Sequence, residues 1–178
     1  MSAPVFLVYY LVPDEIYGVD KRIGLLVILA IILAFEALRL WRRWTFLGLR
    51  EYEAGRISAF AWASIGLTFT FLFFPVELAA PAVMGMAFTD PLIGELRHRN
   101  SALYPILPLI FYFVLVMTVF VALMGWSWQV ILASVVGTVL AIGVERVRIK
   151  SVDDDFLMMV VPLLGMAAVL YLTSSFPS

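Results

Sequence analysis

Apolar segments long enough to cross a lipid bilayer recur along the whole chain. A transmembrane helix needs roughly 20 apolar residues, and only helices or closed barrels satisfy their backbone hydrogen bonds within the hydrocarbon layer. Of the 178 residues, 63% are hydrophobic and 14% are charged, whereas a soluble domain has roughly 45–50% and about 25%. The sequence therefore predicts an all-α fold, a polytopic transmembrane helical bundle of about six spans, forming a single integral membrane domain over residues 1–178. The predicted spans are 23–41, 58–74, 76–89, 103–124, 128–145 and 156–173.

Two segments fit this pattern less simply. Ala3–Val12 is apolar but too short to span, and the acidic pair Asp14-Glu15 follows it, whereas a cleavable signal has a basic start and a small-residue cleavage site. We therefore expect an interfacial N-terminal segment over residues 1–22. The third span is short and contains Pro81, so we expect it to kink or to form a partly re-entrant pair with the second span.

The basic residues predict the orientation of the spans, because short cytoplasmic loops accumulate Lys and Arg. Ten of the twelve basic residues fall in or beside the first, third and fifth loops, and only Lys21 and Arg22 do not. Six spans place those three loops on one side of the membrane. The sequence thus predicts a multi-pass protein of the cell membrane, with the charged loops in the cytoplasm and both termini outside.

Acidic residues gather in the same loops, although the positive-inside rule concerns only Lys and Arg. They are Glu51, Glu53, Asp90, Glu95, Glu145 and the run Asp153-Asp154-Asp155. Mg²⁺ is usually bound by one or two carboxylates plus substrate phosphates, while Arg and Lys bind the phosphate oxygens. Pooled charges of both signs therefore indicate a site for a divalent cation and a phosphorylated substrate.

Two carboxylates within or beside the spans are the candidate catalytic residues. Glu36 lies about three-quarters of the way along the first span, where a charge is costly and indicates a functional site. The alternative is an ion pair with Arg39, which shares its helix face at i,i+3. Asp90 ends the third span and precedes Pro91, a pattern that predicts a helix N-cap as well as a catalytic or metal-binding carboxylate.

The run Asp153–Asp155 directly precedes the last span. Carboxylates complement a helix N-terminus, but three in succession repel one another unless a cation compensates. Asp154 and Asp155 are therefore candidate metal ligands.

The chain has no cysteine and a single histidine, His98, so a zinc site is not indicated. A net charge of −1 gives no reason to expect a nucleic-acid partner, and the glycine-rich loops of soluble nucleotide-binding proteins are missing.

Three segments occur in an order that resembles one enzyme family. The first is Arg50-Glu51-Tyr52-Glu53-Ala54-Gly55-Arg56-Ile57-Ser58-Ala59, which follows a span containing Glu36; the second is Thr89-Asp90-Pro91-Leu92-Ile93-Gly94-Glu95; the third is Glu145 followed by Val152-Asp153-Asp154-Asp155-Phe156-Leu157. Over roughly Glu36 to Val161 the chain resembles a divergent member of the CTP-dependent polyprenol kinases, which include dolichol kinase, phytol kinase and the yeast-type diacylglycerol kinase. Thr89 stands where that family usually has Gly.

The resemblance implies a membrane kinase that transfers phosphate from CTP to the hydroxyl of a membrane-embedded isoprenoid alcohol, with Mg²⁺ or another divalent cation. It implies that Asp90 binds the metal or orients the lipid hydroxyl and that Asp154 and Asp155 bind metal. The basic residues that would contact phosphate groups are Arg50, Arg97, Arg99 and Lys150.

Two other interpretations of the sequence stay open. A CTP-dependent lipid cytidylyltransferase would need the same metal and arginines but would act on a phosphorylated lipid. A non-enzymatic membrane protein, such as an assembly partner or a small transporter, would use the charges only to set its topology. A transporter usually has ionisable groups near the bilayer midplane, whereas those of this chain gather at one edge. The pattern therefore favours chemistry at the membrane interface.

Overall fold

The computed structural model describes residues 3–16, 18–44, 55–145 and 152–173. The chain begins with a 3₁₀ helix, Ala3–Leu11, and a small antiparallel hairpin formed by β1 (Glu15–Ile16) and β2 (Val19–Asp20). Six α-helices follow: α1 (Lys21–Arg42), α2 (Ala59–Phe73), α3 (Val76–His98), α4 (Ile106–Met124), α5 (Trp128–Glu145) and α6 (Asp154–Leu172). The predicted all-α helical bundle is confirmed.

Five of these helices, all except α2, are long and apolar enough to cross a membrane. The chain is therefore a multi-pass membrane protein. Helix α2 is apolar too, but it has only 15 residues. Its N-cap residue is Ser58, whose hydroxyl accepts a hydrogen bond from the backbone N–H of Ala61, and its C-cap residue is Phe74, directly before Pro75.

Helix α3 differs from its prediction. It contains 23 residues and continues through both Pro81 and Pro91 to His98, so the expectation of a short third span is wrong. The expectation that Asp90 caps a new helix at Pro91 is also wrong, because Asp90 lies in the helix interior. Proline removes one backbone hydrogen bond and costs about 3 kcal/mol in a helix interior. The last two turns nevertheless stay helical, with the apolar side chains of Ile93 and Leu96 buried.

Two hydrophobic clusters show how the helices run. One cluster joins residues near the start of α3 and α5 to residues near the end of α4 and α6, including Leu78, Val130, Phe120 and Leu170. The other joins residues near the end of α3 and α5 to the start of α6, including Ile93, Ile142 and Met158. Helices α3 and α5 therefore run in the same direction, and α4 and α6 run the opposite way.

Close approach of helix backbones depends on a few small residues. A methyl group added at Gly85 of α3 would lie 2.8 Å from two ring carbons of Tyr112 in α4. One added at Gly165 of α6 would lie 2.1 Å from Leu140 in α5. Small residues at such contacts let transmembrane helices pack closely. The hydroxyl of Tyr112 is buried and has no hydrogen-bond partner among the described residues.

The segment from Ala3 to Asp20, which we call the N-terminal strap, packs on the turn between α2 and α3. The Tyr9 ring stacks on Phe71 with 5.3 Å between ring centroids. The Tyr10 hydroxyl donates a hydrogen bond to the carbonyl oxygen of Phe74 at 2.7 Å, and burial raises the pKa of Tyr10. The strap therefore lies at the end of the bundle where α2 ends and α3 begins. Its predicted place at the membrane interface stays a prediction.

Candidate functional site

The opposite end of the bundle is the charged end, which we define as the end where α1, α3 and α5 finish and α2 and α6 begin. Six of the predicted site residues lie at this end: Glu36, Asp90, Arg97, Asp154 and Asp155 are on helices, and Arg99 is the C-cap residue of α3. The other two, Arg50 and Lys150, lie outside the described residues. Trp62 near the start of α2 packs against Phe156 at the start of α6 with 5.2 Å between ring centroids, so the starts of these two helices meet.

Glu36 forms a buried ion pair that joins α1 to α2. Its carboxylate accepts hydrogen bonds from Nη2 of Arg39 at 2.8 Å and from Nε of Arg39 at 3.0 Å. The same carboxylate accepts a bond from the backbone N–H of Ser58 at 2.6 Å, and Arg39 donates to the carbonyl oxygen of Arg56 at 2.6 Å. Glu36 and Arg39 are 7% and 2% exposed.

This geometry favours the ion-pair interpretation of Glu36. Both carboxylate oxygens are engaged by groups of the protein itself, and the pair fixes the residues that lead into α2. A buried charge that is paired and hydrogen-bonded in this way is a structural link whose disruption is costly. The catalytic role of Glu36 stays a prediction, but its described contacts are those of a residue that links the end of α1 to the residues just before α2.

Asp90 lies on α3 about one turn before the buried residue Ile93. A helical rise of about 1.5 Å per residue places it roughly 21 Å from Val76, at the other end of the helix. The same rise places Glu36 about 22 Å from Lys21, the first residue of α1. Asp90 is half-buried.

Asp154 and Asp155 form the first turn of α6, and Asp153 is its N-cap residue. Asp154 is exposed and Asp155 is half-buried. Negative charges in this position are stabilised by the unpaired N–H groups and the dipole of the helix. Carboxylate oxygens are also the donors that Mg²⁺ prefers, so the chemistry of these residues fits the expected cation.

The described part of the chain does not bring three such side chains together. Among those residues, no group of three or more His, Cys, Asp or Glu side chains has an arrangement that could hold a metal ion. A protein cage for a cation is therefore not formed by Asp90, Asp154 and Asp155. Mg²⁺ in phosphoryl-transfer sites usually has only one or two protein carboxylates and completes its shell with water and phosphate oxygens, so two of these aspartates would hold it only together with a substrate.

Arg97 lies in a polar cluster that the sequence did not predict. Its guanidinium forms a two-pronged ion pair with Glu145 at the end of α5, in which Nη1 contacts Oε1 and Nη2 donates to Oε2 at 2.8 Å. Tyr104 completes the cluster, because its hydroxyl accepts a bond from Nη2 of Arg97 at 3.0 Å and donates to Oε2 of Glu145 at 3.0 Å. We call these three residues the Arg97 cluster. Glu145 was recognisable as a carboxylate closing an apolar span, but no sequence pattern marks Tyr104.

Arg99 has a simpler environment. Its Nε donates to Glu95 at 2.5 Å, one turn earlier on α3, and both side chains are more than half exposed. Exposed ion pairs of this kind contribute about 0–1 kcal/mol to stability. Arg99 is therefore available to exchange Glu95 for another anion, as its predicted role in phosphate binding requires.

Comparison with known proteins gives no assignment. No protein-family model, curated protein or solved structure matches the chain. Its function is therefore argued from its own residues and from the order of its sequence motifs.

Proposed function

We propose that this protein is a membrane lipid kinase that transfers the terminal phosphate of CTP to the hydroxyl of an isoprenoid alcohol at the cytoplasmic face. The observation that carries the proposal is the position of Asp90. It is a half-buried carboxylate on an apolar helix, at the same end of the bundle as Asp154, Asp155 and Arg97. The order of the three sequence motifs, which resembles that of the polyprenol kinases, supports the substrate class.

The chemistry of phosphoryl transfer agrees with this set of side chains. The reaction needs a cation that neutralises the phosphates, positive groups that stabilise the developing charge, and a residue that orients the attacking hydroxyl. In the proposed site Asp90 accepts a hydrogen bond from the lipid hydroxyl or holds the cation. Asp154 and Asp155 would complete the binding of Mg²⁺, and Arg97 and Arg99 would contact phosphate oxygens.

The apolar surface of the bundle suits a lipid substrate. Helices α1 and α4 expose many large apolar side chains, among them Ile31 at 63% and Ile106 at 64%. An isoprenoid tail can stay in the bilayer beside such helices while its hydroxyl lies at the level of the head groups. The distribution of Lys and Arg supports a cytoplasmic position for the charged end, which is also where CTP is available.

A labelling experiment separates the two enzyme interpretations. Purified protein is incubated with a polyprenol, or with a phosphorylated lipid, and with CTP labelled in the γ-phosphate or in the α-phosphate. A kinase transfers only the γ-label, and to the alcohol. Transfer of the α-label to the phosphorylated lipid would instead identify a cytidylyltransferase. If neither label reaches a lipid with CTP or with any other nucleoside triphosphate, the charges serve topology or assembly and the kinase proposal is wrong.

Asp90→Asn tests the residue on which the proposal depends. Asp90 is in a helix interior and not at a cap, so the substitution removes a charge while leaving the helix ends unchanged. We expect phosphoryl transfer to fall by several orders of magnitude, with a melting temperature close to that of the wild type. Glu95→Gln, one turn further along the same helix and exposed, is the matched control and should keep most of the activity. Wild-type turnover by Asp90→Asn would remove Asp90 from the mechanism.

A further inference from the structure

The C-terminal end of α1 has an ordered group of aromatic and basic side chains, Trp41-Arg42-Arg43-Trp44, which we call the α1 clamp. The guanidinium carbon of Arg42 lies over the indole ring of Trp41, 5.8 Å from its centroid, and over the ring of Trp44 at 5.6 Å. These are two cation–π contacts. They hold the guanidinium by its face and leave the N–H groups at its edges available for hydrogen bonds.

A left-handed turn produces this arrangement. Arg43 is the C-cap residue of α1 and has φ 53° and ψ 36°, a conformation in which glycine is the usual residue. The N–H of Arg43 donates to the carbonyl oxygen of Leu40 at 3.3 Å, and that of Trp44 donates to Arg39 at 3.1 Å. The turn therefore directs Trp44 back toward the end of the helix, where its ring reaches Arg42. Because an arginine is unfavourable in this conformation, we expect its side chain to contribute something that glycine cannot.

The two arginines of the α1 clamp have no counter-charge in the part of the chain that the structure describes. Arg42 and Arg43 are exposed, and neither side chain forms a hydrogen bond or an ion pair with a described residue. Arg39, one turn earlier, differs because Glu36 pairs with it. A guanidinium presents its N–H groups in a planar fork that matches two oxygens of a phosphate group. The α1 clamp therefore offers two positive groups to an anion from outside the chain.

Helix α1 is long enough to place the α1 clamp at the level of lipid head groups. Lys21 and Arg42, its first and last residues, are about 32 Å apart along the helix axis. The hydrocarbon layer of a bilayer is about 30 Å thick, so a helix of this length that crosses it holds a basic residue at each edge. The anions nearest to Arg42 are then the phosphate groups of phospholipids.

An apolar face of α1 leads up to the α1 clamp. At 3.6 residues per turn, Val27, Ile31 and Leu38 lie on the same face of the helix as Arg42. They are 51%, 63% and 37% exposed. For an apolar helix of a membrane protein the surroundings of such a face are lipid tails. A tail and a phosphate group of one lipid molecule can therefore contact α1 at the same time.

We propose that the α1 clamp binds the head group of an anionic phospholipid, whose acyl chains lie along this apolar face. Arg42 donates to two oxygens of the lipid phosphate, Arg43 adds a second positive charge, and the two indole rings hold Arg42 in place. Two uncompensated charges favour a head group with net negative charge over a zwitterionic one. The α1 clamp contains none of the residues of the proposed kinase site, so this inference goes beyond the proposed function and is tested separately from it.

Native mass spectrometry of the purified protein measures this binding. The protein in neutral detergent is titrated with phosphatidylglycerol, or with zwitterionic phosphatidylcholine that has the same acyl chains. We expect the wild type to bind phosphatidylglycerol about tenfold more tightly, and Arg42→Gln to lose about tenfold of that affinity with its charge-assisted hydrogen bonds. Arg42→Lys keeps the charge but loses the planar fork, and Trp44→Leu loses one cation–π contact; each should bind about threefold more weakly.

Two controls separate the α1 clamp from charge and aromatic content in general. Arg22→Gln removes an exposed arginine at the other end of α1. Trp126→Leu removes an indole that is 74% exposed at the other end of the bundle. Both should keep the wild-type affinity for phosphatidylglycerol. Equal losses in Arg22→Gln and Arg42→Gln would mean that lipid binding follows net charge alone, and would overturn the proposal.

The head group without its acyl chains identifies the source of the anion. Glycerophosphoglycerol, which is deacylated phosphatidylglycerol, should not displace the lipid at equal concentration, because it has no contact with the apolar face. Displacement would indicate a site for a soluble phosphate compound and overturn the assignment to lipid, as would equal affinity of the wild type for the two lipids. Melting temperatures recorded before lipid is added show whether each variant is folded. Arg42→Lys is the most conservative change and decides the matter if another variant does not fold; a wild-type affinity in Arg42→Lys would contradict binding by the guanidinium fork.

Discussion

Gly85→Ala is the sharpest test of how α3 and α4 pack. A methyl group at this position would lie 2.8 Å from Cε2 and from Cζ of Tyr112, whereas carbon atoms in contact prefer about 3.5–4.0 Å. The Tyr112 ring or the helix would have to move by roughly 0.7 Å. Tyr112 is completely buried, and a rigid ring in a packed interior cannot turn aside as a flexible side chain can.

The expected cost combines two opposing terms. Overpacking of a buried site costs about 1–3 kcal/mol, while alanine is better than glycine in a helix interior by about 1 kcal/mol. Gly94→Ala is the matched control because Gly94 lies on the same helix with no atom within 4 Å of the added methyl group. Gly94→Ala should therefore be neutral or stabilising, and Gly85→Ala should unfold more easily than Gly94→Ala by about 1–3 kcal/mol.

The assay is unfolding of the purified variants in detergent, by heat and by titration with a denaturing detergent. Adding Tyr112→Leu to Gly85→Ala removes the ring atoms that clash. The Tyr112 hydroxyl has no hydrogen-bond partner among the described residues, so that change sacrifices no described hydrogen bond. The double variant should lose less stability than the sum of the two single variants. If Gly85→Ala is as stable as Gly94→Ala, the close contact between α3 and α4 is wrong.

Three further predictions concern other parts of the molecule. Because the chain has no cysteine, a single cysteine introduced at Ser101 or Ser127 can be labelled specifically. The cysteine at position 101 should react only from the cytoplasmic side, and the one at position 127 only from outside. Labelling of both from the same side would refute the six-span topology. Glu36→Gln leaves Arg39 buried without its counter-charge and should cost about 3–5 kcal/mol, measured by unfolding in detergent, whereas an unchanged stability would mean that the pair is solvated. Tyr10→Phe should lower the free energy of unfolding by about 0.5–1.5 kcal/mol. Because burial raises the pKa of Tyr10, the stabilisation by its protonated hydroxyl should be complete below about pH 10 and decline above it. This pH dependence would be contradicted if the melting temperature of the wild type fell no more steeply in alkali than that of Tyr10→Phe.

Predictions from the sequence succeeded where hydrophobicity decides the structure and failed where packing does. The apolar runs were enough to locate the six α-helices of the described residues, because burial in lipid requires length and composition that few soluble sequences have. The end of α3 was placed too early, because Asp90-Pro91 is a local signal for a helix start. That signal was overridden by the burial of Ile93 and Leu96, which depends on contacts with other helices.

For the candidate site, too, part of the arrangement could be predicted from the sequence and part could not. The pooling of charges at one end of the bundle could be inferred from the sequence, since each charged segment borders a span. Which of these charged side chains pair with one another could not be inferred from the sequence. Arg97 and Glu145 are 48 residues apart, and Tyr104 lies in the connection between α3 and α4, so only the folded arrangement brings the three together. Glu36 and Arg39 were close enough in sequence for their ion pair to be predicted, but the contact with Ser58 was not.

The shortness of α2 has a consequence for the surrounding lipid. Fifteen residues make a helix of about 22 Å, while the hydrocarbon layer of a typical bilayer is about 30 Å thick. Phe60 and Phe73, near the two ends of α2, are 65% and 66% exposed, so both ends of the helix present an aromatic side chain to their surroundings. The bilayer thins around a short hydrophobic segment. If α2 crosses the bilayer, we therefore expect lipid beside it to be drawn inward relative to lipid beside the 19-residue helix α4, so that membrane thickness would differ around the circumference of the protein.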